Sequence, residues 1–495
     1  MTATLRPPPK DLSQAFLQRS FRSVEAYRST SYDLLPFKFL RLAGNRCLLT
    51  NLAGEYLIVS SSDFEAMVDK RLTPVSEVYS NLVGQHFIAE GDSKAHLDLL
   101  AIKYRTKLSR LPNLTALHIF VVTLRCDHSC SYCQVSRVSE DRVAFDMTQE
   151  TADRAIDIML ESPSPYLKVE FQGGESLLNF PLIKHIVSRV KRLASRRSLS
   201  FVITSNLAFL TDEILSFCKL EGVDFSTSLD GPEQLHNLNR PRPGKDAHAR
   251  TISGIERVRQ SLGPGAVSAL MTTTAQSLLQ PEAIIDEYVR LGFQSVFLRS
   301  ISPYGFAVKS RAKIGYETDD YIAFYKRGLN HILKLNQQGT FLRETYSSIL
   351  LRRILTPFAD GYVNLQSPAG LGLSALVYNY DGGVYGSDEG RMMAEMGNQQ
   401  LRLGTVQQTY RELLLGNVLP DILWETMTEG MPGCVDCALQ PWCGSDPDFH
   451  LRTQGDRVGH RPTSDFCKRQ MSIFHHLLSL LEDKNVAPIL KSWLP

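Results

Sequence analysis

The sequence has no apolar stretch long enough to cross a bilayer. Its opening, Met1-Thr-Ala-Thr-Leu-Arg-Pro-Pro-Pro-Lys10, has no apolar segment of the secretory type, so a cytoplasmic protein without an export signal is expected. A surplus of charge is missing as well. Lys and Arg number 54 against 52 Asp and Glu, a net +2 that argues for neither nucleic acid nor an anionic membrane as partner. Repeats and low-complexity tracts are absent beyond the proline-rich start. Cysteine is scarce, nine in 495 residues.

Those few cysteines are clustered. Cys126, Cys130 and Cys133 form one group, and Cys434, Cys437, Cys443 and Cys467 a second. In a reducing compartment such groups mean metal rather than disulfides. Cys47 and Cys218 stand alone among apolar neighbours and read as small core residues. The rest of the composition, 43% apolar and 21% charged, is that of an ordinary globular chain of two to four domains.

Residues 1–30 read as a loose polar tail. A small α+β domain is expected over 31–105. Three short strands, Phe37–Leu42, Cys47–Thr50 and Tyr56–Val59, are separated by turns at Gly44-Asn45 and Asn51–Gly54. Helices follow over Asp63–Lys70, capped by Ser61 or Ser62, and Val75–Phe87. Over 113–317 strands alternate with helices. The strands are Ala116–Leu124, Lys168–Gln172, Ser200–Ser205, Val223–Leu229, Val267–Thr273 and Ser295–Ser300. Between the first two, Ala152, Ala155, Ile156, Met159 and Leu160 share one helical face. This alternation predicts an α/β fold with a parallel sheet buried on both faces, short of eight units and hence a partial, open (β/α)6 barrel. Ligands belong at the carboxyl ends of its strands. A helical bridge is expected over 318–365 and a cysteine-bearing region over 366–495, closing in a helix from Arg469 to Glu482.

The first cysteine group lies in the loop leaving the first strand's carboxyl end. Thiolates are soft ligands suited to iron–sulfur clusters or zinc. A closed structural site uses four ligands, whereas a four-iron cluster on three cysteines leaves one iron open to a small molecule. A zinc knuckle recruiting His128 is the alternative; the position after the first strand and the missing fourth cysteine tell against it. The second group, Cys434-x2-Cys437-x5-Cys443 and then Cys467, can close either a zinc site or a four-iron cluster.

The three-then-two spacing, with Tyr132 before the last cysteine, resembles that of the radical S-adenosylmethionine (SAM) enzymes. The resemblance implies that SAM chelates the open iron and is cleaved by one electron, from an outside reducing donor, to methionine and a 5′-deoxyadenosyl radical. Gly173-Gly174-Glu175 is similar to the family's element that receives the SAM amino group. Asn206, Ser228 and Asp230, with His236, Asn237 and Arg240 downstream, fit the groups that reach its ribose and carboxylate. Leu298-Arg-Ser-Ile-Ser-Pro-Tyr-Gly-Phe306, after the sixth strand, reads as lining the adenine site or the substrate channel, or as a rigid Pro-Gly loop.

The second group resembles the SPASM extension of peptide-modifying members, which implies an auxiliary 4Fe–4S cluster on Cys434, Cys437, Cys443 and Cys467. Ser387 and Pro447 stand where that extension has cysteines of a further cluster. In sulfatase-maturing relatives an aspartate at the place of Asp388 is implied as a base; a surface turn is the plainer reading. The first domain resembles the family's small peptide-recognition domains, or is a generic α+β appendage. Leu35-Pro-Phe-Lys-Phe, Leu48-Leu-Thr-Asn51, Ser302–Phe306 and Val384–Arg391 together look like the His-Xaa-Ser system radical SAM maturases. This implies a ribosomally made peptide rich in His-Xaa-Ser as substrate, hydrogen abstraction as the first step, and a second radical SAM maturase as partner. Two rivals remain. One is a sulfatase-type maturase making formylglycine, against which the lost cysteines weigh. The other is a non-catalytic iron–sulfur protein carrying electrons or peptide for a partner.

Overall fold

The computed structural model describes residues 32–91, 94–109, 111, 113–135, 141–358 and 361–494. The tail expected over 1–30 lies outside them. They fall into two compact units, one up to Tyr104 and one from Arg105.

In the first unit, β1 (Tyr32–Leu34) precedes β2 (Phe37–Leu42), β3 (Arg46–Asn51) and β4 (Tyr56–Ser60). The last three form an antiparallel sheet in sequence order. Gly44 and Asn45 both adopt positive φ, 75° and 57°, the turn geometry that matches the twist of paired strands. Helices α1 (Ser61–Val68) and α2 (Glu77–Gly84) cover the sheet. The cap of α1 is Ser60, whose hydroxyl accepts from the Asp63 amide, one residue earlier than expected. The second helix ends at Gly84, three residues short of the expected Phe87, and a fifth strand, β5 (Ile88–Glu90), pairs antiparallel with β1. Cys47 is fully buried with Leu49, Phe64, Met67 and Phe87, the core position expected of it.

The second unit is built on β6 (Leu117–Thr123), α3 (Gln149–Leu160), β7 (Tyr166–Gly173), α4 (Phe180–Leu193), β8 (Ser198–Thr204), α5 (Asp212–Glu221), β9 (Val223–Ser228), α6 (Ala247–Leu262) and β10 (Val267–Leu270). The strands are parallel and neighbour one another in sequence order. Every connection is a helix, so all strand-to-helix loops lie at one end of the sheet. Thr148 caps α3, and Ala152, Ala155, Ile156 and Met159 are wholly buried on the face their spacing predicts. Cys218 is buried on α5.

The sixth strand is where the structure departs from the alternation. After α7 (Pro281–Arg290), β11 (Ser295–Val296) pairs with β12 (Arg343–Glu344), a short strand between α8 (Thr318–Gln337) and α9 (Thr345–Leu355). The reason is local. The Leu298 amide donates to the buried Glu344 carboxylate at 3.2 Å, and its carbonyl accepts from the Tyr321 hydroxyl at 2.7 Å. Side chains thus take the groups that a ladder to β10 would need; one backbone bond, Thr273 N to Arg299 O, remains.

The sheet is extended instead on its other edge. β13 (Ala375–Tyr378) lies parallel to β6, and β14 (Gly383–Tyr385) and β15 (Arg402–Thr405) continue antiparallel. Buried His118 of β6 joins β13, its Nδ1 lying 3.0 Å from the Tyr378 hydroxyl and its Nε2 3.0 Å from the Thr115 carbonyl. Then come α10 (Asp388–Glu395), α11 (Pro447–Gln454) and α12 (Asp465–Leu481), the last starting four residues before the expected helix. No helix among the described residues is long and apolar enough to cross a membrane.

Candidate functional site

The loop after β6 begins under tight restraint. Thr123 Oγ1 donates to Asp146 Oδ1 at 2.6 Å, and Arg125 grips both oxygens of that carboxylate at 2.7 and 2.8 Å. Gly173 and Gly174, after β7, pack against the same backbone. A Cβ on Gly174 would lie 2.2 Å from the Arg125 carbonyl oxygen, and one on Gly173, at φ 139°, would lie 1.9 Å from that of Thr123. The two glycines therefore let the two strand-end loops touch. The Glu175 amide closes the contact by donating to the Arg125 carbonyl at 2.7 Å.

Glu175 is fully buried. Its carboxylate accepts from Ser205 Oγ at 2.7 Å, the Asn206 amide at 2.8 Å and the Leu177 amide at 3.0 Å, tying the ends of β7 and β8 together. Burial pushes its carboxyl up to about 7. Asn206 is half-buried, and its side-chain nitrogen donates to Asp127 Oδ1 at 2.8 Å. His128 Nδ1 lies 2.8 Å from that same oxygen, and Arg242 pairs with the carboxylate at 3.3 Å. Among the described residues, Cys126, Asp127 and His128 are the one set of three ligand-type side chains whose atoms lie within 4.8 Å of one another. The hydrogen bonds at Asp127 already occupy that carboxylate.

Asp230 is fully buried behind the loop. It accepts from the Tyr132 hydroxyl at 2.5 Å, Arg240 Nε at 3.1 Å and the Thr272 amide at 3.2 Å. The Arg240 guanidinium stands 5.2 Å from the Tyr132 ring centre. This clamp, missed from the sequence, reaches the aromatic between Cys130 and Cys133. The buried ring of His236 presents Nδ1 to the Asp230 amide at 3.3 Å, while Ser228 ends β9 half-buried. The Ser129 amide donates to the Pro241 carbonyl at 2.7 Å, and the Phe306 amide to that of Cys133 at 2.8 Å. Gly305, at φ 58°, packs so closely that a Cβ would lie 2.6 Å from the Cys133 oxygen. Asn206 and Asp230, on successive strand ends, thus bond to the three-cysteine loop, and its three cysteines are half-buried.

The second group is assembled by tight turns. The amides of Cys434, Cys437 and Cys443 donate to the carbonyls of Met431, Cys434 and Leu439 at 3.0 Å each. Cys467 sits in the first turn of α12, where Ser464 caps its amide. All four cysteines line one cavity with Phe466, Phe474 and Arg461. The two non-cysteine positions meet nearby: Ser387 Oγ donates to Asp448 Oδ1 at 3.0 Å, one residue past Pro447. Asp388 begins α10 and pairs with Arg391, a fully buried guanidinium, at 2.9 Å. Its carboxylate is thus engaged in an ion pair at the start of the helix.

An open parallel sheet with thiols in the loop after its first strand, braced by the ends of the next three, is the arrangement of the radical SAM class. Residues 120–287 match the model of the Radical SAM superfamily, so this part of the chain is a radical SAM domain. A "Radical SAM cyclopropyl synthase TigE" of Paramaledivibacter caminithermalis is 22% identical over 240 residues, 46% of this chain and 48% of that one. The chain spans between 34% and 65% of the length of the curated relatives it matches. Among solved structures, "Native anSMEcpe with bound AdoMet" aligns with a TM-score of 0.62 at 16% identity, over 76% of this chain and 99% of that one. "Streptococcus suis SuiB bound to precursor peptide SuiA" aligns at 0.52 and 12% identity, over 88% and 99%. These likenesses establish the fold.

Proposed function

We propose that the protein is a cytoplasmic radical SAM enzyme that removes a hydrogen atom from a ribosomally made, His-Xaa-Ser-rich peptide, using a 4Fe–4S cluster on Cys126, Cys130 and Cys133. The observation that carries the reading is the convergence of Glu175, Asn206, Asp230 and Arg240 on a three-thiol loop at the carboxyl end of the sheet. The donors fit such a group. Burial pushes Cys130 up to about 12 and raises Cys126 too, so ligating thiolates here call for a metal's positive charge. When bound, cluster and SAM supply one-electron cleavage of a carbon–sulfur bond; that chemistry is theirs. The chain's own residues hold the loop. Asp230 and Arg240 fix Tyr132, Asp127 and Asn206 fix the loop's start, and Glu175 ties the ends of β7 and β8 together.

Cys434, Cys437, Cys443 and Cys467 hold an auxiliary 4Fe–4S cluster in this reading. A tetrahedral zinc site brings its sulfurs to about 3.8 Å from one another. No three of these thiols lie within 4.8 Å of one another, which favours the larger cluster. The unit before Tyr104 is assigned to peptide recognition, on its three-stranded sheet with two covering helices. The peptide named with SuiB supports a peptide substrate. A second radical SAM maturase and a reducing electron donor complete the system.

The test is SAM turnover. Anaerobically reconstituted, reduced protein should release 5′-deoxyadenosine, and coexpression with a His-Xaa-Ser peptide should change the peptide's mass. No 5′-deoxyadenosine with or without peptide leaves only the non-catalytic rival. Formylglycine in a sulfatase-derived peptide would instead establish the sulfatase-type reading.

A further inference from the structure

Between the segment after β11 and the C-terminal region lies a cavity of about 80 Å³, room for a single side chain rather than a cofactor. Several polar groups on its wall hold unused hydrogen-bonding capacity. Gln470 is 2% exposed; its nitrogen donates to the Tyr346 hydroxyl, and its Oε1 is buried without a partner. Asn364 donates to Asp446 at 3.0 Å, and its Oδ1 is likewise buried and unpartnered. Glu389 adds a carboxylate, and Arg299 a guanidinium, that share the wall. Burial pushes the Glu389 carboxyl up to about 7, and the charge of the nearby Arg299 guanidinium acts against that rise. Arg469, by contrast, is spoken for: it donates to Ser300 Oγ at 3.1 Å and stands 5.7 Å from the Phe466 ring.

The wall thus offers two orphaned amide acceptors beside a carboxylate and a guanidinium. An unpaired buried acceptor is costly, so this set is complementary to a ligand that brings its own donors. The walls are aromatic, with Phe297 stacked on Tyr346 at 5.9 Å, and they suit a flat, electron-poor group. Along Ser300–Pro303 the cavity adjoins a wider one of about 380 Å³, with space for the chain flanking such a group.

We propose that this cavity receives a planar, hydrogen-donating side chain of the peptide substrate, the imidazole of histidine or the guanidinium of arginine. Glu389, Asn364 and Gln470 accept its N–H groups, and Arg299 donates to a neighbouring peptide carbonyl. The proposal rests on the peptide-modifying reading and adds the residue type that this site selects.

The test uses the full chain, anaerobically reconstituted, and four fluorescein-labelled synthetic peptides that differ at one central position: His, Arg, Leu or Glu. Fluorescence anisotropy should show the His or the Arg peptide binding about tenfold tighter than the Leu and Glu peptides. Glu389→Gln should erase most of that preference, and Glu389→Lys should turn it toward the Glu peptide. Gln470→Leu, which removes an acceptor without a charge change and keeps the side chain's size, should weaken the preferred peptide and leave the Leu peptide unaffected. Equal affinity for all four peptides, binding of none, or an unchanged ranking in Glu389→Gln and Gln470→Leu overturns the proposal. Peptide-dependent 5′-deoxyadenosine formation without side-chain preference refutes the cavity assignment alone. Preferred binding without SAM cleavage refutes the enzyme reading and leaves the cavity.

Discussion

The two thiol groups are held by opposite means. Cys126, Cys130 and Cys133 depend on partners far away in sequence: Asp230, Arg240, Arg242 and Asn206, delivered by the ends of other strands. Cys434, Cys437 and Cys443 follow one another through short backbone turns, and only Cys467 comes from elsewhere. Carboxylates and guanidinium groups frame the first; the second is lined by Phe466, Phe474, Leu439 and Met471, with Thr428, two amides and one cation, Arg461. A three-ligand site must leave a position for a small molecule, and polar groups around it serve that molecule as well as the loop. A four-ligand site has no position to offer, so carboxylates are not needed around it. In the proposed reading, the difference is that between a site built for exchange and one built to stay closed.

The largest expected effect separates the two directly. Replacing Cys126, Cys130 and Cys133 together by Ala should abolish 5′-deoxyadenosine formation while the protein retains about half its iron, since the second group is independent. Cys434→Ala with Cys437→Ala should lose the other half. Equal iron in that variant and the parent, with zinc lost instead, sinks the auxiliary cluster. Next comes the close backbone approach at the first site. Gly174→Ala places a Cβ 2.2 Å from the Arg125 carbonyl, and overpacking of this kind costs about 1–3 kcal/mol. Thermal unfolding should fall by several degrees, and an unshifted melting point would show that the two loops do not depend on their contact. Asp230→Asn tests the clamp itself. Loss of a partner behind the ligands costs about 10–100-fold in metal affinity, so iron should leave the first site faster under chelation and the second at its usual rate.

Much of this contrast was legible in the sequence, because it resides in spacing. The three cysteines after an apolar run, the Gly-Gly-Glu after the next strand, and the local turns that build the second group are all short-range patterns. The buried face of α3 and the first five parallel strands come from periodicity alone. Long-range partners were not legible. The parallel addition of β13 to β6 joins His118 to Tyr378, 260 positions apart. A hairpin signal was present in Asn379–Gly382 between two short apolar runs, but nothing local says which edge such a hairpin extends. The sixth strand failed for the same reason, since Glu344 and Tyr321 claim Leu298 from a distance. At the site, Asp230 looked like a ligand-facing carboxylate because the strand end was visible and Tyr132's hydroxyl was not.

The seam between β6 and β13 gives the smallest effect and the one whose sign is least obvious. His118 is buried between Tyr378 and the Thr115 carbonyl, and burial depresses its imidazole to about 3. In the unfolded chain it titrates near 6.5. Above that value the ring is neutral in both states and contributes no pH dependence. As pH falls below 6.5, the unfolded chain takes up a proton that the folded one refuses. Stability therefore drops with acid, by up to about 1.4 kcal/mol per pH unit for this group, until the folded value near 3 is reached. His450, depressed to about 4 by burial and by Arg461, acts in the same direction, so the wild-type slope is composite. His118→Gln isolates one part of it. It should cost about 1 kcal/mol at pH 7, where a hydrogen bond to Tyr378 is weakened, and lose less than the wild type between pH 6.5 and 4.5. Urea midpoints at four pH values measure both quantities. Identical slopes would mean that acid opens this unit elsewhere, and the sheet linking the two thiol regions would then be sturdier than either site it carries.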